Sequence, residues 1–206
     1  MAPGLVAAAG TARDELFIVS PYFVPGKDGL AFLIRARERG RRVVVVTNSL
    51  ASTDGNSIHS KYKNYREPLL RAGVELYELK PVSGTKRLKL RWGRAGPGLA
   101  SLHAKSFAID RRTLFAGSYN LTPRSKNLNM EMGVFLDSPA LAARLPAALE
   151  PILDTEAYRL ALEGNRLVWI TQEGGQEVRY HHDPATSFWR RVKVSLMGQL
   201  PIEGLL

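Results

Sequence analysis

Hydrophobic residues in this chain fall into short apolar runs alternating with stretches of helical spacing. Leu16 to Val19 is an uninterrupted apolar run that enters a proline-rich turn by Val24, which predicts a buried strand. Leu30, Leu33, Ile34 and Arg37 then recur at helical spacing between Asp28, a suitable N-cap, and the stop at Gly40. Val43 to Val46 lacks alternation, as expected of a parallel-sheet strand covered on both faces. A polar loop over 48–56 leads to a second predicted helix, Ile58 to Arg71, closed by Gly73, and to a strand over Val74 to Leu79. These are βαβ units, whose right-handed crossovers place helices over a sheet.

Further along, Leu102 to Ile109 alternates apolar and polar as a strand does, and a turn at Asp110 to Arg112 leads to a short run at Thr113 to Ala116. Met130 to Leu136 reads as another strand. Pro139 to Leu149 reads as a helix that Pro146 must bend or interrupt. Leu167 to Thr171 and Glu177 to Tyr180, joined across Gly174-Gly175, predict a hairpin. The tail over 187–206 carries Phe188, Trp189, Val192, Leu196 and Met197 beside Arg190, Arg191 and Lys193. It suits a helix lying in a lipid interface and equally one packed on the core. The expected fold is α/β: a layered domain spanning 1–206, with a central mixed β-sheet flanked by helices.

Charge narrows the partners. Twenty-nine basic against nineteen acidic residues leave a net charge of +10, which favours anionic partners, either nucleic acid or an acidic membrane face. The absence of cysteine removes disulfides and thiolate metal sites. The opening MAPGLVAAAG lacks the basic flank and length of a signal peptide, and no uncharged run is long enough to span a bilayer, so any membrane contact is expected to be peripheral unless a segment outside this sequence supplies an anchor.

Candidate chemistry gathers between Leu102 and Glu131. His103, Lys105 and Asp110 follow the order His-x-Lys-x-x-x-x-Asp, and residues two apart on a strand share a face, so His103 and Lys105 are expected to project together. Gly117 would admit an anion close to the backbone, and Ser118 and Asn120 could hydrogen-bond its oxygens. The set describes a phosphate pocket that needs neither metal nor cofactor. The basic stretch Pro81 to Ser101, with Lys86, Arg87, Lys89, Arg91, Arg94 and Trp92, is either a solvated connector or a rim that attracts a phosphate-rich substrate.

The motif, with the following Gly117-Ser118-Tyr119-Asn120-Leu121-Thr122-Pro123-Arg124-Ser125 and Asn129 and Glu131, resembles the phospholipase D superfamily. Ser20-Pro21-Tyr22-Phe23-Val24-Pro25 and Thr47-Asn48-Ser49-Leu50 extend the resemblance to the bacterial cardiolipin synthase branch. It implies phosphatidyl transfer through a phosphohistidine, cardiolipin being formed from phospholipid substrates at the cytoplasmic side of a bacterial membrane. It also implies a site made from two such motifs, where this chain has one. The chain is therefore expected to be the second half of a longer protein, or to pair with an identical subunit. His103, Lys105, Asp110 and Glu131 form the implied catalytic set, with His103 as general acid and base if the other motif's histidine is the nucleophile. Lys105, Ser118 and Asn120 would bind phosphate, and Glu131 would hold the histidine Nδ1 proton. Within this set Asp110 is given a structural role beside Arg111 and Arg112, and Arg124 is expected to form ion pairs across its loop.

Two other functions stay open. The same site type cleaves nucleic acid in other superfamily members, and a lone motif could be an inactive binding half. His59 reads as a surface residue of the second helix. His181-His182-Asp183 is a weak metal candidate, because adjacent histidines on a strand point to opposite faces.

Overall fold

The protein is represented by a computed structural model that describes residues 3–81 and 102–200. The chain begins with helix α1 (Pro3–Gly10), strand β1 (Glu15–Val19), helix α2 (Gly26–Glu38), strand β2 (Arg42–Asn48), helix α3 (Asn56–Arg71) and strand β3 (Glu75–Leu79). Strands β4 (Ser106–Ile109) and β5 (Thr113–Gly117) follow, then helix α4 (Pro123–Asn127) and strand β6 (Gly133–Asp137). Short helices α5 (Pro139–Ala142), α6 (Arg144–Leu149) and α7 (Leu153–Glu156) precede strands β7 (Ala157–Glu163), β8 (Arg166–Glu173) and β9 (Gln176–Tyr180), and helix α8 (Phe188–Gln199) ends the described chain. The basic stretch proposed as a rim lies outside the described residues except for Pro81.

All nine strands join one mixed sheet in the order β6-β5-β4-β1-β2-β3-β7-β8-β9. Helical crossovers make β1, β2 and β3 parallel, whereas the remaining neighbours are antiparallel. The unbroken valine run has the expected explanation. Val43 and Val45 enter one core with Leu16, Ile18, Leu33 and Leu69, while Val44 and Val46 enter the other with Phe17, Val19, Leu149 and Leu153. Consecutive residues of a central strand thus face two layers, and both must be apolar.

Several boundaries differ from the sequence pattern. The strand expected from Leu102 begins at Ser106, because the preceding residues leave the ladder at the sheet end. Gly117 still donates its N–H to the Lys105 carbonyl at 3.1 Å. The Pro139–Leu149 segment is split between α5 and α6, in agreement with a proline that cannot continue a helix. The β8–β9 hairpin turns at Gly174 and Gly175, whose φ values of 59° and 82° are those a two-residue primed turn requires. Strand β7 was not anticipated, although Tyr158, Leu160 and Leu162 alternate ahead of Gly164.

Register brings four chain ends together. Val19 pairs with Ser106, Ser106 with Ala116, and Gly117 with Gly133. The end of β1, the start of β4, the end of β5 and the start of β6 therefore meet at one sheet end, beside the end of β2 at Asn48. Outside the carboxyl ends of parallel strands is where open α/β sheets bind ligands.

The opposite sheet end is fixed by charge. Asp110 accepts the N–H groups of Arg13, Asp14 and Glu15 at 2.8, 2.9 and 2.9 Å. Arg111 binds Glu15 and Glu150, and Arg42 binds Glu15, Glu75 and Glu150. Asp110 and Arg111 have φ of 51° and 49°, a conformation that non-glycine residues hold only when surrounding contacts impose it. The third motif residue is thus an anchor for β1.

Candidate active site

At the open sheet end, Asn48 sets the entry of the motif. Its Oδ1 accepts the Leu102 N–H at 3.0 Å and its Nδ2 donates to the Leu102 carbonyl at 3.2 Å, so one buried amide substitutes for a missing strand neighbour. Nδ2 also reaches the Pro21 carbonyl at 3.3 Å, tying the ends of β1 and β2 to the motif. His103 follows with an exposed side chain, whereas Lys105 is buried. The Lys105 ammonium turns back to donate to the His103 carbonyl at 3.0 Å. Burial lowers the Lys105 pKa from its ordinary value, against the pull of the Glu131 and Asp54 carboxylates.

Ser118 and Glu131, expected to serve a phosphate and the histidine Nδ1 proton respectively, are bonded to each other. Ser118 Oγ donates to Glu131 Oε2 at 2.5 Å and accepts the Met132 N–H at 3.0 Å. Ser125 and Asn129 donate to Glu131 Oε1 at 2.7 and 3.1 Å. Burial would raise the Glu131 pKa, but these three bonds and the Lys105 charge bring it below the ordinary carboxylate range. Among the described residues its partners belong to its own loop, and His103 is not one of them. Asn120 is half-buried, and its Oδ1 is enclosed without a partner among the described residues.

The Ser20–Pro25 run lines the same end. Val24 donates its N–H to the Leu121 carbonyl at 2.6 Å, and Phe23 forms a parallel bridge with Leu121. Tyr22 donates its hydroxyl to Asp54, and burial together with that carboxylate pushes the Tyr22 pKa up to about 12. Asn48, Tyr22 and Asp54 were missed as site residues. The signal was the polar loop directly after the valine strand, since loops at strand ends carry function. Arg124 makes no ion pair among the described residues; its Nε donates to Asn129 Oδ1 at 3.3 Å.

Two other histidine readings are corrected. His59 is buried rather than on the surface, and Arg66 Nη2 lies 2.8 Å from its Nε2. Burial lowers the His59 pKa, against the pull of Asp183 and with that of Arg66. His181 and His182 follow β9 in a bend and are both exposed, while Asp183 is buried and accepts from Arg66 at 2.8 Å. His59, Glu78 and Asp183 bring potential ligand atoms within 4.8 Å of one another, but the Arg66 guanidinium engages all three. A fixed cation already neutralises that cluster, so the residues do not fit a metal.

A mixed sheet with helices on both faces is the fold of solved phospholipase D family members. Nuc from Salmonella typhimurium, a phospholipase D family member, superposes with a TM-score of 0.58 at 17% identity, over 77% of this chain and 89% of its own. Phosphatidylserine synthase from Haemophilus influenzae Rd KW20 gives 0.56 at 16% identity, over 76% of this chain and 36% of its own. The family model Cardiolipin synthase, PLD-like domain, matches residues 5–153, and the chain belongs to that family. Cardiolipin synthase C of Escherichia coli (strain K12) is 41% identical over 198 residues, which are 96% of this chain and 42% of that protein. The chain therefore spans about two fifths of that relative.

Proposed function

We propose that this chain carries one half of a phospholipase D-type site that transfers a phosphatidyl group, forming cardiolipin when the acceptor is another phospholipid. The observation that carries the reading is the pairing of an exposed His103 with a buried Lys105 at the open sheet end. An imidazole with a pKa near ~6.5 can attack phosphorus at neutral pH and also act as proton carrier. One histidine of the pair bonds to phosphorus as the bond to the first alcohol breaks, and the other protonates that alcohol. The second histidine then removes the proton of the acceptor hydroxyl as it attacks phosphorus and the P–N bond breaks. His103 takes one of these roles, and the Lys105 charge stabilises the phosphoryl oxygens. Asn120 adds an amide to the phosphate site, while Ser118 reaches it only by releasing Glu131.

The second motif comes from a preceding half of the polypeptide or from an identical subunit. Strand β6 supports this, being the outermost strand beside the site, with Val134, Phe135 and Leu136 exposed by 55%, 44% and 39%. Met130 and Met132 project beside it at 102% and 83%. An exposed apolar sheet edge is unusual for a surface meant for water. Among the described residues no helix is long and apolar enough to cross a membrane, and in this reading the contact with the membrane is at its periphery, on the cytoplasmic side.

A nucleic-acid phosphodiesterase is the second reading, favoured by the net charge of +10. The protein carrying both motifs would be offered radiolabelled phosphatidylglycerol and single-stranded DNA. Cardiolipin formation that vanishes in His103→Ala with the melting temperature unchanged is expected. Turnover of DNA alone would overturn the lipid reading, and retained turnover in His103→Ala would remove His103 from the mechanism.

A further inference from the structure

A second basic recess lies between α3, β8, the His181–Asp183 bend and α8, and none of the residues discussed for the His103 site lines it. Its volume is about 560 Å³, within the ~300–1,000 Å³ usual for ligand pockets. Lys63, Arg66, Arg166 and Arg191 line it with one carboxylate, Asp183, which pairs with Arg66 at 2.8 Å and Lys63 at 3.5 Å, so Arg166 and Arg191 carry charge beyond that cluster. Arg166 is exposed and engages no carboxylate among the described residues. Arg66 is 1% exposed, and its Nη1 has no partner among the described residues. The guanidinium lies over the rings of Tyr62 and Trp169, 5.0 and 5.1 Å from their centroids, so its position is fixed.

The other wall belongs to α8, which presents Phe188 and Val192 beside Arg191 and Ser195. This helix is pinned to α3: Lys61 donates to the Gly198 carbonyl at 2.7 Å and also to that of Leu200, and Arg190 bonds Thr53 and Asn56. A Cβ on Gly198 would lie 3.1 Å from the Ser60 carbonyl, so glycine sets the close approach. Val194 is buried, and Phe188 and Leu196 remain 61% and 60% exposed on the helix. Phe188, Val192 and Leu196 recur every four residues and stack on one face, with Phe188 and Val192 lining the recess. Trp189, beside Phe188 and 76% exposed, extends the apolar rim. Fixed cations at the floor and an exposed aromatic and aliphatic rim match a ligand that is anionic at one end and apolar at the other.

We propose that this recess is a second lipid-binding site, taking the phosphate head group of an anionic phospholipid against Arg166, Lys63 and Arg191, with its chains along Phe188, Val192 and Leu196. The site docks the chain on an anionic membrane and performs no chemistry. It goes beyond the phosphatidyl-transfer reading and needs no turnover.

The test uses the 206-residue chain carrying His103→Ala, so that failure here and failure of the transfer reading are separable. Flotation is measured with phosphatidylcholine vesicles, with and without phosphatidylglycerol. Binding is expected only with phosphatidylglycerol, weakening as salt rises. Arg166→Glu is expected to lower it by roughly tenfold or more, as reversal of a cation near an anionic surface should. Arg166→Gln should fall between, and Phe188→Ser should lower binding without changing the salt dependence. Both sites are exposed, so melting temperatures should stay level. Equal flotation of the His103→Ala chain with and without Arg166→Glu, or binding to phosphatidylcholine alone, overturns the proposal. So does displacement from vesicles by inorganic phosphate as effective as by soluble short-chain phosphatidylglycerol. An Arg166→Glu effect seen with a single-stranded oligonucleotide but not with vesicles would assign the recess to nucleic acid and likewise overturn it.

Discussion

Ser118 donates its hydroxyl to Glu131 at 2.5 Å, and the other partners of that carboxylate are Ser125 and Asn129. Glu131 thus braces the loop between Gly117 and β6 rather than gripping the His103 ring. If this is its role in the reaction, Ser118→Ala and Glu131→Gln should each lower turnover by roughly ten- to a hundredfold, the scale of a lost charged hydrogen bond. The double variant should lose little more than either single one, because both break one network. The pH profile of kcat should keep its shape in both. A shifted profile in Glu131→Gln alone would point to direct contact with the histidine.

Burial lowers the pKa of Lys105, whose ammonium donates to the His103 carbonyl. Lys105→Met should cut turnover by about a hundredfold or more, as loss of a preorganised charge-stabilising donor does. Thermal unfolding should be little changed, since a desolvated cation is replaced by an apolar chain of similar length. Parallel kinetics and calorimetry on the variant check both halves of this prediction.

Asp110 titrates with the fold. Burial alone would raise its pKa, but the three backbone donors and Arg41 lower it below the ordinary carboxylate value. A depressed carboxylate contributes stability that is present above its unfolded pKa, near ~3.9, and is lost as pH falls through the folded value. Asp110→Asn should therefore cost about 1–3 kcal/mol at neutral pH and less as the solution is taken below pH ~4. Urea melts of the two proteins at a series of pH values measure the difference.

Arg66 is the largest fully buried side chain among the described residues and bonds Glu78, Asp183 and His59. Arg66→Met leaves Glu78 buried without its cation and Asp183 with Lys63 alone, 3.5 Å away, for which about 3–5 kcal/mol of destabilisation is expected. For a chain of this size that corresponds to a melting temperature lower by on the order of 10 °C. Calorimetry should find the loss far larger than for Arg71→Met, whose pair with Glu67 is about half exposed.

The edge strand offers the clearest test of incompleteness. Phe135→Glu and Val134→Lys, both on β6, should leave the isolated chain folded, because these side chains are exposed in it. In the protein carrying both motifs they should lower activity or stability together. Association measured by sedimentation, with unchanged behaviour of the variants, would remove β6 as the contact.

Much of the sheet could be read from residue pattern because its drivers are local. The Val43–Val46 run, the Gly174-Gly175 turn and the glycine stops at Gly40 and Gly73 each act within a few residues. Strand β7 escaped because Ala157 and Ala161 blur its alternation, and because the strand it joins on one side, β3, lies some eighty residues back in the chain. In the site, the motif named His103 and Lys105, but not that Asn48 would clamp Leu102 from 54 positions away. Residue type also misled: His59 sits among lysines in sequence, yet the helix turns it inward to meet Arg66, and Asp183 arrives from beyond β9. Such pairings depend on the completed topology.

Gly117 and Gly133 face each other across β5 and β6. A Cβ on the first would lie 2.4 Å from the Met132 carbonyl, and one on the second 2.3 Å from the Phe115 ring. Neither position can accept even a methyl group without displacing main chain or a core aromatic. Strands β5 and β6 therefore meet at this pair through backbone alone, and alanine at either position would push the sheet border outward. Reshaping this sheet end means moving the whole outer hairpin rather than exchanging one residue.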